Sequence, residues 1–142
     1  MAVSALDHYN LSPGRKGTAR LTVGAAHTAP ALGSGTIPVY ATPMMAALME
    51  AAAVDCVEAL LPAGHASLGT ALQITHTAPS PLGMAIEATA ELVSIEDRTL
   101  TFRVEARDAT EIIGSGTHTR VVVDTERFMV KLARKAQKTG PP

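Results

Sequence analysis

Apolar residues follow two rhythms along this chain. Between positions 41 and 62, ATPMMAALMEAAAVDCVEALLP is apolar almost throughout and built from strong helix formers. Thr42 suits a helix N-cap and Pro43 the first helical position, while Pro62 and Gly64 end the segment. The pattern predicts a helix about 30 Å long with most of its circumference buried. After it, four segments alternate. Residues 67–77 put Leu68, Leu72, Ile74 and His76 on one face. Residues 83–95 put Met84, Ile86, Ala88, Ala90 and Leu92 opposite Glu87, Thr89 and Glu91. Residues 99–107 put Leu100, Phe102, Val104 and Ala106 opposite Thr101, Arg103, Glu105 and Arg107. Such alternation predicts half-buried antiparallel strands. A three-residue turn at Glu96, Asp97 and Arg98 sets Glu91 across from Arg103 and Glu87 across from Arg107, a register that opposite charges favour. Residues 112–124 form the last long strand, where Gly114 and Gly116 mark a bend or a close approach.

The flanks are less regular. Residues 1–17 read as a loosely ordered arm and 19–23 as a first short strand. Residues 24–38 (GAAHTAPALGSGTIP) form a long, small-residue loop of the kind that serves as a lid. Residues 126–138 read as a surface helix whose Lys131, Arg134, Lys135 and Lys138 make a solvated face, and 139–142 as a disordered tail. The order predicts one α+β domain over 1–142, a central helix on one antiparallel sheet. A single sheet leaves part of so apolar a helix uncovered, which points to a homodimer and leaves room for a tetramer.

Composition narrows the function classes. Aromatic residues are 3% of the 142, so the core is aliphatic. A net charge of −1, with the cations spread along the chain, gives no electrostatic reason for a nucleic-acid or anionic-membrane partner. No apolar run reaches the roughly 18 residues of a membrane span, and no signal-peptide pattern opens the chain. The lone Cys56 falls in the apolar helix and reads as inert, which fits a reducing, cytoplasmic compartment. His8, His27 and His65 have no partner at ligand spacing, so neither metal nor cofactor is expected.

Two polar residues interrupt the apolar pattern. Glu50 shares its side of the helix with Ala53, Val54, Val57, Leu60 and Leu61. His76 shares its strand face with Leu72 and Ile74. Each aims at the layer between helix and sheet, where a carboxylate and an imidazole tune one another for acid–base or nucleophilic work, or simply close a structural hydrogen bond. Thr42 adds a hydroxyl at a helix start, which stabilises negative charge such as a thioester oxyanion when it is more than a plain cap. Thr42 and Glu50 lie eight residues apart, about 12 Å along one helix, so they do not meet within one copy. Two antiparallel helices about a two-fold axis would bring one copy's helix start near the other's Glu50. His118 and Arg120 lie on one face of the last strand, together with Val122, and read as a rim pair.

Three stretches together resemble a known family: ATPMMAALMEAA around Thr42 and Glu50, SLGTALQITHTA around Gly69 and His76, and EIIGSGTHTRVVV around His118 and Arg120. From about Tyr40 to Lys135 the chain resembles the hotdog-fold thioesterases, within them the fluoroacetyl-CoA thioesterase group. The resemblance implies a helix wrapped by an antiparallel sheet and a dimer with two interfacial sites. It implies catalytic roles for Thr42, Glu50 and His76, with Gly69 near the bound acyl group and Arg120 a second substrate-binding residue. The substrate it implies is a small to medium acyl thioester of CoA or of an acyl carrier, CoA being part of the substrate. Fluoroacetyl selectivity in that group relies on lid aromatics, and residues 24–38 hold no Phe, Tyr or Trp, which points to another acyl group. Two rivals stand beside hydrolysis: a non-catalytic acyl-binding protein, and a hotdog hydratase or dehydratase. The latter pair an Asp with a His five residues on, and position 71 is Ala.

Overall fold

The computed structural model describes residues 11–139. The parts of the expected arm and tail at 1–10 and 140–142 lie outside that range. Strand β1 (Lys16–Thr22) is followed by short helix α1 (Ala29–Leu32), long helix α2 (Thr42–Val57), strands β2 (His65–His76), β3 (Ala85–Glu96), β4 (Thr99–Arg107) and β5 (Ile112–Asp124), and helix α3 (Thr125–Thr139). The first strand therefore begins at Lys16, inside the stretch expected to be a loose arm. All five strands join one antiparallel sheet in the order β1-β3-β4-β5-β2.

Helix α2 lies chiefly across β1 and β3. Met45, Leu48, Met49, Ala52, Ala53, Cys56 and Val57 form its buried face. They meet Ile86, Ala88, Ala90 and Leu92 of β3 and Leu100, Phe102, Val104 and Ala106 of β4, the expected inward residues of both strands. The approach is closest at Gly17. A Cβ there would run into the Ala52 carbonyl and the Cys56 amide, so only glycine lets the helix backbone sit on β1. The Cys56 thiol is buried and donates to the Arg15 carbonyl at 3.3 Å, a structural role. Gly114 and Gly116 are close approaches, the first beneath Met45 and the second against the backbone of Gln73.

Three local expectations are corrected. The helix starts one residue early: Ala41 is the N-cap and Thr42 is already helical. The reason is the preceding backbone, held extended by a bridge between Thr28 and Tyr40 and by the Ala41 amide on the His27 carbonyl. The helix also ends at Val57 rather than running to position 62, tightening into a 3₁₀ turn over Glu58–Leu60. There Glu58 accepts hydrogen bonds from the Ser67 amide and hydroxyl. The β3–β4 turn has two residues, Asp97 (φ 53°) and Arg98, because Glu96 pairs with Thr99. An irregularity between Leu92 and Ser94 absorbs the extra residue, so Glu91 still faces Arg103 and Glu87 still faces Arg107. Glu87 nevertheless pairs with Arg20 of β1, at 2.5 Å.

Part of α2 is left uncovered within one copy. Pro43, Ala47, Ala51 and Val54 are exposed. β2 is a sheet edge, and no Asp, Glu, Lys or Arg occurs from Ala66 to Thr75. Among the described residues no helix is long and apolar enough to cross a membrane.

Candidate active site

The lid segment, the start of α2 and the end of β2 meet around one cavity. Its volume is about 410 Å³, and Thr36, Ile37, Tyr40, Thr42, His76 and Ala78 are among its lining residues. Residues 24–38 are partly helical rather than a plain loop: a 3₁₀ turn over Ala25–His27 precedes α1, and Gly33 closes α1 in the left-handed conformation at φ 69°. The connection after β2 is anchored from beneath. Ser80, fully buried, donates its hydroxyl to Asp108 at 2.8 Å, and its carbonyl accepts the Tyr40 amide at 2.9 Å.

Thr42 does not cap its helix with its side chain. Its Oγ1 shares a 2.8 Å hydrogen bond with His76 Nδ1. The His76 ring meets Tyr40 edge to face, with centroids 6.2 Å apart, and its Nε2 is buried without a protein partner. Burial holds the His76 pKa below the ordinary histidine value, the Ala78 backbone opposing it, so the ring is neutral near pH 7. The Thr42 amide opens the helix with no preceding turn to accept it, so it and the positive end of the helix dipole are available to an oxyanion.

Glu50 lies about two turns further along α2, near the middle of the helix. It is not enclosed in an apolar stripe as the periodicity suggested: its side chain is 45% exposed, because α2 turns its buried face to β1 and β3 while Glu50 leans toward edge strand β2. Its carboxylate sits over Gly69, where an added Cβ would lie 2.6 Å from Oε2. It is 3.6 Å from Arg120 Nη1. Glu50 and His76 therefore belong to separate clusters within one copy, and the expected pair does not form there.

Arg120 and His118 are interior residues, which corrects the rim expectation. Arg120 donates from Nε to the Ser67 hydroxyl at 2.8 Å, from Nη2 to the Ser67 carbonyl at 3.0 Å and from Nη1 to His118 Nε2 at 3.1 Å. His118 donates from Nδ1 to the Ala71 carbonyl at 2.8 Å and stacks on Phe102. Burial, then the Arg120 charge, outweigh the Ala71 carbonyl and Glu50, and its pKa is lowered, as fits a neutral imidazole accepting from a guanidinium. A bulge in β2 explains why simple alternation put Leu68, and not Ser67 and Gly69, on the inner face. The β2–β5 register slips between Gly69 and Ala71. Before the slip Ser67 and Gly69 face the helix and Leu68 is exposed; after it Leu72, Ile74 and His76 face inward. Ser67 and Glu58 thus join the site without a sequence signal beyond their polarity.

Comparisons with known proteins give the family. The profile of the fluoroacetyl-CoA-specific thioesterase family covers residues 23–126. The fluoroacetyl-CoA thioesterase of Streptantibioticus cattleyicolor is 47% identical over 97 residues, 68% of this chain and 70% of that protein. A solved structure of the fluoroacetyl-CoA thioesterase FlK superposes with a TM-score of 0.84 at 39% identity, over 89% of this chain and 98% of that one. A hot-dog-like protein from Thermanaerovibrio acidaminovorans superposes with a TM-score of 0.81 at 21% identity, over 88% and 93%, and speaks for the fold alone. The sheet wrapped on a long helix is the hotdog fold, and this chain belongs to the fluoroacetyl-CoA-specific thioesterase family.

Proposed function

We propose that this hotdog thioesterase hydrolyses small to medium acyl-CoA thioesters in the cytoplasm, at a site completed by a second copy of the chain. The observation that carries the reading is the separation of two half-sites along one uncharged edge strand. Thr42 and His76 are hydrogen-bonded at the lid cavity, and Glu50 waits over Gly69, seven residues back along β2. Antiparallel pairing of two β2 edges about Leu72 and Gln73 would set Gly69 of one copy opposite the partner's His76. The Glu50 above it would then complete the partner's Thr42 and His76. The uncovered Ala47, Ala51 and Val54 supply apolar surface for the same contact.

The chemistry follows from the donors. With Thr42 O–H donating to Nδ1, His76 carries its proton on Nε2, poised for the departing thiolate. The Thr42 amide and the helix start stabilise the oxyanion that forms when the thioester carbonyl is attacked. Glu50 drives that attack as base or nucleophile. Gly69 leaves room for the acyl group beside the carboxylate, and Arg120 fixes the carboxylate's position.

The lid sets selectivity. Gly35, Thr36 and Ile37 line the cavity where aromatic side chains would fill it. We expect no strong preference for fluoroacetyl over acetyl thioesters and rising kcat/KM toward longer or branched acyl groups. Free-thiol release across an acyl series measures it. A fluoroacetyl preference of several orders of magnitude would overturn the lid reading, and no thiol release from any acyl-CoA would overturn the function.

A further inference from the structure

Two carboxylates from one helix bear on a single guanidinium. Glu50 lies on α2, and Glu58 opens the 3₁₀ turn that ends it. Arg120, buried on β5, lies 3.6 Å from Glu50 through Nη1. Its link to Glu58 runs through Ser67, which is also buried. The Ser67 hydroxyl donates to Glu58 Oε1 at 2.7 Å and accepts from Arg120 Nε at 2.8 Å. The Ser67 amide donates to both Glu58 oxygens, at 3.0 and 3.2 Å, which fixes the carboxylate against β2. Burial lowers the Arg120 pKa, and Glu58 opposes this more than Glu50 does.

The direction of these hydrogen bonds matters as much as their length. A serine hydroxyl has one proton to give and two lone pairs, and an ionised carboxylate only accepts. Glu58 therefore takes the Ser67 proton and leaves a lone pair facing Arg120 Nε. The Ser67 carbonyl holds Nη2 at 3.0 Å, and His118 Nε2 holds Nη1 at 3.1 Å. Held in three directions, the guanidinium is kept from turning to close a two-pronged pair on Glu50. The Glu50 carboxylate thus has a fixed place over Gly69 and yet stays outside hydrogen-bond distance of Arg120. A reacting carboxylate needs both conditions, a set position and free lone pairs.

We propose that Glu58 is a positioning residue for the hydrolysis: acting through Ser67, it locks Arg120 so that Glu50 is oriented but left free to react. The proposal rests on the thioesterase reading and on the role given there to Glu50.

Glu58→Gln tests it. The variant keeps the volume and still offers an oxygen to the Ser67 amide, while its own amide group can turn the Ser67 hydroxyl round. kcat should fall by about tenfold to a hundredfold, the range for a hydrogen bond to a charged group, with KM and melting temperature little changed. Ser67→Ala should cause a similar fall. The two losses should not add, because both act on Arg120 by one route, so Glu58→Gln should have no further effect in the Ser67→Ala background. A second readout needs no turnover. The NMR signal of the Arg120 Nε–H should exchange slowly with water in the wild type and about tenfold faster, or more, in Glu58→Gln. An unchanged kcat, losses that add, or an unchanged exchange rate would each overturn the proposal. A lower melting temperature with kcat unchanged would leave Glu58 a structural partner of Ser67 only. If the wild type cleaves no acyl thioester, the thioesterase reading fails, and the exchange rate still decides whether Glu58 holds Arg120.

Discussion

Glu50 is the one ionisable side chain on α2 from Thr42 to Val54. Its surroundings separate a chemical role from a structural one. Arg120, its neighbour, keeps Ser67 and His118 as partners without it. Glu50→Gln should therefore lower kcat by about two to four orders of magnitude, as for loss of a general base, with little change in melting temperature. An unchanged kcat in the folded variant would remove Glu50 from the mechanism. Asp108 makes the opposite case. Burial raises its pKa, but the Thr110 amide, the Ser80 hydroxyl, the Glu111 amide and the Thr110 hydroxyl outweigh this and hold the carboxyl at about 2. Its folded value lies below its unfolded value of 3.8. Its contribution is therefore complete above about pH 4 and lost as pH falls toward 2. Asp108→Asn should lower the melting temperature at pH 7 and flatten the acid limb of the stability profile between pH 4 and 2. Melting curves across that range check both. Thr42, Glu50 and His76 stand out in the sequence as candidates because each breaks an apolar pattern or opens a helix. The burial of His118 and Arg120 was not legible there, because a period-two pattern gives a face and not a depth.

Strand β2 shows what alternation reads well and where it stops. Leu72, Ile74 and His76 sit inward as their spacing predicts, while Leu68 does not, because one irregular step at Thr70 reverses the faces before it. That step is a positioning device: it turns Gly69 toward Glu50 while His76 stays turned toward Thr42. Gly69→Ala would put a methyl 2.6 Å from the Glu50 carboxylate, whose flexible end must swing away. We expect kcat/KM to fall about a hundredfold, the cost of displacing a reacting group by about 1 Å, with a small change in stability. Steady-state kinetics beside a melting curve check this; equal activity would show that the carboxylate need not lie over position 69. The β3–β4 hairpin was legible down to its register, since charges mark the outer face of both strands. Its two-residue turn was not, because the compensating irregularity near Val93 leaves no mark in the polarity pattern.

At the scale of the whole molecule, the Thr42–His76 pair and the Glu50–Arg120 pair stay apart within one copy. About 12 Å of helix separates Thr42 from Glu50, and each is finished locally by different partners. The surface joining them is an uncharged sheet edge beside exposed Ala47, Ala51 and Val54. The sequence made the uncovered helix legible through its shortage of charge. It did not reveal which edge strand would lie beside it, since strand order depends on long-range pairing. Mixing two inactive variants tests the shared site most directly. Thr42→Ala and Glu50→Gln, each nearly inactive alone, are unfolded together, refolded and assayed for thioester cleavage. If the site is shared, about half of the dimers are mixed and each has one intact site, so activity should return to about a quarter of wild type. If each copy carries a complete site, every site retains one lesion, and activity in the refolded mixture would stay at the level of the separate variants.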